Sequence, residues 1–172
     1  MKVSIGSKVV EGPYGGGNLF VKNLKNFLNK KNIEVIDHLK DKNIDIILLI
    51  NPLRFSETAT YNHHDVNYYL EFVNKDALVV QRINECDERK NTNTINQQIV
   101  KSNESSDFTI YVSSWLQELF SLHGLNNKNS AVIMSGSDET IFKSFKKRTI
   151  NDKFELVTHH WSSNWNKGFD IY

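Results

Sequence analysis

Four glycines crowd the segment "EGPYGGGN": Gly12, then Gly15, Gly16 and Gly17. They follow an apolar run and precede a helix-like run. Bare backbone N–H groups at a helix start, together with the helix dipole, attract an anion. Without Cβ atoms, a phosphate or a sugar can reach the backbone closely. The spacing is neither a P-loop, which needs a Lys-Ser/Thr pair, nor G-x-G-x-x-G. A flexible tight turn is the plainer alternative. A second stretch, "QRINECDERK", carries Arg82, Asn84, Glu85 and Asp87 out of a buried strand, followed by Glu88, Arg89 and Lys90. Mixed charges there suit hydrogen bonding to a polyhydroxylated ligand. The alternative is a set of surface ion pairs and a helix N-cap. Near the end, "VTHHWSSNWNKGFDIY" offers His159, His160 and Ser162 leaving a strand, then Lys167-Gly168 opening a helix. A Lys beside such a helix start is a phosphate partner. Trp161, Trp165 and Phe169 read equally well as core or as an apolar patch that drives self-association.

Other chemistry is poorly supplied. His63 and His64 are adjacent, so on a helix they diverge by about 100 degrees and do not share one ion. Asp37-His38 is another isolated pair. No metal site is expected. The single cysteine, Cys86, lies between Glu85 and Asp87, and neighbouring carboxylates disfavour its thiolate.

Strands are expected at Lys2–Val10, Asn32–Asp37, Ile44–Ile50, Ala77–Ile83, Phe108–Val112 and Ser130–Met134. "IDIILLI" and "ALVVQRI" are continuous apolar runs, the mark of parallel strands buried on both faces. Helices are expected at Asn18–Lys31, His63–Asn74, Thr92–Ser105 and from Ser113 to the stop at Gly124. Asn18 is the expected N-cap of the first, with Leu19, Phe20, Leu24, Phe27 and Leu28 inward. Trp115, Leu116, Leu119 and Phe120 form the expected inward face of the last. This alternation implies an α/β, Rossmann-like, doubly wound and mostly parallel sheet. Ligands of such sheets sit at the carboxyl ends of the strands. That directs attention to loops 11–18, 51–62, 84–92, 113–114 and 135–142.

The chain has 172 residues, 39% hydrophobic and 24% charged, with a formal net charge of +1. That balance gives no electrostatic case for nucleic acid. No stretch approaches the roughly 18 apolar residues of a membrane span, and the first residues do not look like a signal peptide. A lone cysteine fits a cytoplasmic setting. A domain is expected over residues 1–141, a charged linker over 142–153, and the start of a second domain over 154–172.

Several of these stretches together resemble a known family. "VIMSGSDETIFKS" resembles the V-I-x-N-G-x-D-x-x-x-F segment of retaining glycosyltransferases with the GT-B fold, family-four type, with Ser135 in place of the Asn. "IYVSSWLQELF" resembles the strand-helix unit before it, and the Gly-rich loop matches in place and kind. The final "VTHHWSSNWNKGFDIY" resembles the first strand and loop of the family's C-terminal domain. The resemblance implies a parent enzyme, of hexosyltransferase type and serving carbohydrate biosynthesis, that moves a sugar from a nucleotide-sugar to an acceptor. The acceptor would be a glycan, a lipid or a small molecule, and peripheral membrane contact is a further expectation. The N-terminal domain would be the acceptor side, and the donor-binding domain would be truncated, so that this chain alone is inactive. By the same resemblance, Gly15, Gly16 and Gly17 lie near the donor diphosphate, Lys167 neutralises it, and His159 or His160 stands where a basic partner is usual. Neither a cofactor nor a metal is implied, the nucleotide-sugar being a substrate. A stand-alone α/β module that binds a small ligand or a protein is the competing expectation.

Overall fold

A computed structural model describes residues 1–12, 14–51, 57–126, 129–143, 157 and 165. Its elements run β1 (Lys2–Ile5), α1 (Gly16–Lys30), β2 (Glu34–Ile36), β3 (Ile46–Leu49), α2 (His63–Phe72), β4 (Leu78–Ile83), α3 (Asp87–Lys90), α4 (Ile95–Asn103), β5 (Phe108–Tyr111), α5 (Ser114–Leu122) and β6 (Ser130–Val132). The strands form one six-stranded sheet in the order β2-β1-β3-β4-β5-β6, and every neighbouring pair is parallel.

The apolar runs explain this sheet. Ile47, Leu48, Leu49, Val79 and Ile83 are buried, and their strands lie in its middle. From β1 the chain steps outward to β2, returns past β1 to β3, and then advances to β6. Right-handed crossovers in opposite directions put helices on opposite faces. Accordingly, α1 packs on Val3, Ile5, Leu48 and Ile50. On the other face α2 covers Ile47, Leu49 and Val79, while α4 and α5 cover Ile83 and Tyr111. The sheet is doubly wound, as the alternation implies. The direction reverses between β1 and β3, and that is the topological switch point.

The helices differ from expectation in instructive ways. α1 begins at Gly16 with Gly15 as N-cap, so Asn18 does not cap it. Instead the Asn18 side chain accepts from Val10 N at 2.8 Å and donates to Val10 O at 2.7 Å, holding the preceding loop against the helix. Its buried stripe is Val21, with Leu24 and Leu28 partly covered, while Leu19 and Phe27 are exposed. Likewise Trp115 is exposed, while Leu116 and Phe120 fill the core. Helical spacing admits two overlapping stripes in each case, and the position of the sheet selects one. The expected ends hold better. Ser113 caps α5 by accepting from Leu116 N at 3.2 Å. Past it, Gly124 N donates to Ser121 O and Leu125 N to Phe120 O, a Schellman stop.

The chain divides into two compact units, Met1–Ser135 and Gly136–Tyr172. All six strands belong to the first. In the second, Asp138 accepts from Thr140 N at 2.9 Å and from its hydroxyl at 2.6 Å, and closes a turn at "SDET". No helix among the described residues is long and apolar enough to cross a membrane.

Candidate functional site

The glycine loop leaves β1 at the switch point and ends as the N-terminus of α1. Gly15 needs to be glycine, because its φ of 89° is a conformation that side chains disfavour. Gly16 and Gly17 have no such need. A Cβ at either would meet nothing within 4 Å, and both residues are exposed. Glycine at these two positions therefore keeps open a space that the described chain does not fill. Gly15 supplies no side-chain cap to α1, and the first-turn amides of a helix have no partner within the helix itself. Tyr14, just before, donates to Glu57 Oε2 at 2.9 Å and joins this loop to the one after β3.

Sequence reasoning grouped Arg82 with Asn84, Glu85 and Asp87, but their side chains are engaged in different places. Asp87 takes the alternative role. Its carboxylate accepts from Ile95 N at 2.9 Å, from Asn96 N at 3.0 Å and from the Thr92 hydroxyl at 2.6 Å, and so caps α4. Asn96 Oδ1 accepts from Asp87 N in return. Partial burial opposes ionisation of Asp87. The Thr92 hydroxyl and the amides of Asn96, Ile95 and Thr94 outweigh it and hold the carboxyl below its ordinary range. The Asn84 carbonyl accepts from Arg89, and Glu85 lies 3.6 Å from Lys90 Nζ.

Arg82 stands apart. It occupies the carboxyl end of β4 and shares the α1 face of the sheet with Val80. Only 7% of it is exposed, yet Nη1 has no hydrogen-bond partner and no carboxylate pairs with the guanidinium among the described residues. The guanidinium carbon lies 3.9 Å from the centroid of the Phe20 ring, on the first turns of α1. Nη2 reaches Ser135 Oγ at 3.4 Å. Ser135 itself is exposed, so the buried cation lies just beneath the surface. Burial lowers the guanidinium pKa, but an arginine stays charged at neutral pH.

Arg82 is stacked on the Phe20 ring in the first turns of α1, about one turn past Gly16. Two stretches far apart in sequence thus meet at the carboxyl edge. Sequence reasoning missed Phe20, which it read only as core. It also missed Gly6, where a Cβ would lie 2.9 Å from the Tyr61 ring, and the buried, unpartnered hydroxyl of Thr60 in the loop after β3.

Other candidates fare differently. His159, His160 and Lys167 lie outside the described residues, as do Trp161 and Phe169. Trp165 is exposed. Cys86 is buried, and burial, followed by the nearby Glu88, pushes its thiol pKa up. No group of three His, Cys, Asp or Glu side chains converges as a metal would require among the described residues. No protein-family model and no curated protein matches this chain.

Proposed function

We propose that this Rossmann-like unit is the acceptor-side domain of a retaining glycosyltransferase that uses a nucleotide-sugar. The observation that carries the reading is the open, uncapped N-terminus of α1, built from glycine, at the switch point of a parallel sheet. The likeness of "VIMSGSDETIFKS" and "VTHHWSSNWNKGFDIY" to that family supports it. The chemistry is of a kind such an edge can serve. A leaving nucleoside diphosphate gains negative charge in the transition state, and oriented amides and basic side chains stabilise that charge. In this reading the glycine amides face the diphosphate, and the acceptor enters over the carboxyl ends of β3 and β4. Neither a metal nor a cofactor is required.

NMR titration of the chain with UDP-, GDP- and ADP-glucose tests the proposal. One of the three is expected to shift Gly15, Gly16 and Gly17 more strongly than the matching nucleoside monophosphate does. If none of them shifts the glycines, the open end of α1 is not a diphosphate contact and the reading loses the observation that carries it.

A further inference from the structure

A buried guanidinium without a counter-charge is a costly arrangement in a folded chain. Buried charges normally have a partner. Arg82 has none for Nη1, although it is 93% removed from water by the 7% exposure it retains. Its ring contact with Phe20 stabilises the cation but satisfies no N–H. The second anomaly is independent and lies on the same helix, about one turn before the Phe20 ring that Arg82 stacks on. Gly16 and Gly17 leave an open, uncapped helix end where alanine would fit. α1 is a 15-residue helix, long enough for its dipole to act at that end. Both anomalies are resolved by the same missing partner, an oxyanion.

We infer that Arg82 and the first-turn amides of α1 form one phosphate subsite, with the Ser135 hydroxyl at its rim. Free donors come from two elements, the guanidinium fork on β4 and the backbone of α1. A tetrahedral phosphoryl group presents three oxygens in different directions and suits such a set better than a planar carboxylate. No acidic side chain pairs with Arg82 to compete for the cation among the described residues. The ligand class is therefore a phosphorylated small molecule. The subsite deepens the transferase reading and rests on it only for which substrate carries the phosphate: a phosphorylated sugar acceptor and the nucleotide donor supply the same chemistry.

The test is ¹⁵N NMR of the 172-residue chain titrated with inorganic phosphate and pyrophosphate at constant ionic strength. The Gly16 and Gly17 amides and the Arg82 side-chain N–H are expected to shift together. Arg82→Gln should weaken binding at least tenfold, and Arg82→Lys, which keeps the charge but not the fork, should lie between. In phosphate-free buffer Arg82→Gln and Arg82→Met should melt no lower than the parent, because each removes an unpaired buried charge. Absence of shifts at tens of millimolar phosphate overturns the subsite. So does unchanged affinity in Arg82→Gln, or a lowered melting temperature in both neutral variants, which would make Arg82 structural. Glucose 6-phosphate and UDP separate the sources. Tighter binding of the sugar phosphate assigns the subsite to an acceptor, and tighter binding of the nucleotide assigns it to the donor. Phosphate binding through Arg82 without any response to nucleotide-sugars would retain the subsite and reject the transferase reading. Nucleotide-sugar binding indifferent to Arg82 would do the reverse.

Discussion

Two buried polar groups on consecutive residues of β4 have opposite fates. Gln81 faces α4, where every hydrogen-bonding demand is met. Its Nε2 donates to Ser102 Oγ at 2.7 Å, and its Oε1 accepts from Asn103 Nδ2 at 2.8 Å. Asn103 also donates to Thr109 Oγ1 at 2.9 Å. A closed network of this kind is structural, since breaking one member strands the others. Asn103→Ala should cost about 2–3 kcal/mol by leaving buried partners unsatisfied. The expected sign is a lower urea midpoint with an unchanged slope. Arg82 faces α1 and is left open, which is the pattern of a binding group. Asp87 supplies a second prediction at this scale. Its folded-state pKa is lowered, so its stabilisation is complete above the ordinary carboxyl pKa and is lost as pH falls through the lower folded value. Asp87→Ala should cost about 1–2 kcal/mol at neutral pH, as a lost helix cap does. The gap between variant and parent, followed by thermal melts, should close on acidification.

At the scale of elements, α1 shows what glycine costs and provides. Gly16→Ala and Gly17→Ala should each stabilise the free chain by up to about 1 kcal/mol, since Ala is the better helix former and has room. The same substitutions should weaken phosphate binding by filling the approach to the amides. Calorimetric melts with and without phosphate check both signs. α1 and α5 also separate apparent from real burial. Leu19→Ala should change stability by less than about 0.5 kcal/mol, because Leu19 is exposed. Leu116→Ala should cost about 2–5 kcal/mol, because Leu116 is buried beside Ile83, Tyr111 and Phe120. Denaturant unfolding of the pair distinguishes the observed stripes from the sequence-derived ones.

For the whole molecule, the parallel sheet concentrates its buried apolar residues at its centre, and the proposed site lies at its carboxyl edge. Ile47 lies in β3, between β1 and β4, under α2 and wholly buried. Ile47→Ala should cost about 2–5 kcal/mol. Residues 1–135 should lose structure together, as cooperative loss of the far-UV signal and of Trp115 fluorescence at one midpoint. At the rim, the end of β4 carries Arg82, the start of α1 carries the glycines and the loop after β3 carries Thr60. Rigid strands hold these groups in fixed relation, which is what an anion site formed from several segments needs.

The α/β class and all six strand locations were legible in the sequence, because apolar runs and helix periodicity are local properties of consecutive residues. The cap Ser113 was equally legible, since a cap acts within its own first turn, whereas Asn18, read in the same way, caps nothing and Asn62, a true cap, was not singled out. The tertiary structure alone decided the strand order, the helix faces that became buried and the fates of "QRINECDERK". Burial depends on neighbours contributed by distant segments, and no spacing along the chain records them. Arg82 reads as one member of a charged cluster until α1 folds over β4. Only then does it become a buried cation stacked on Phe20 of α1.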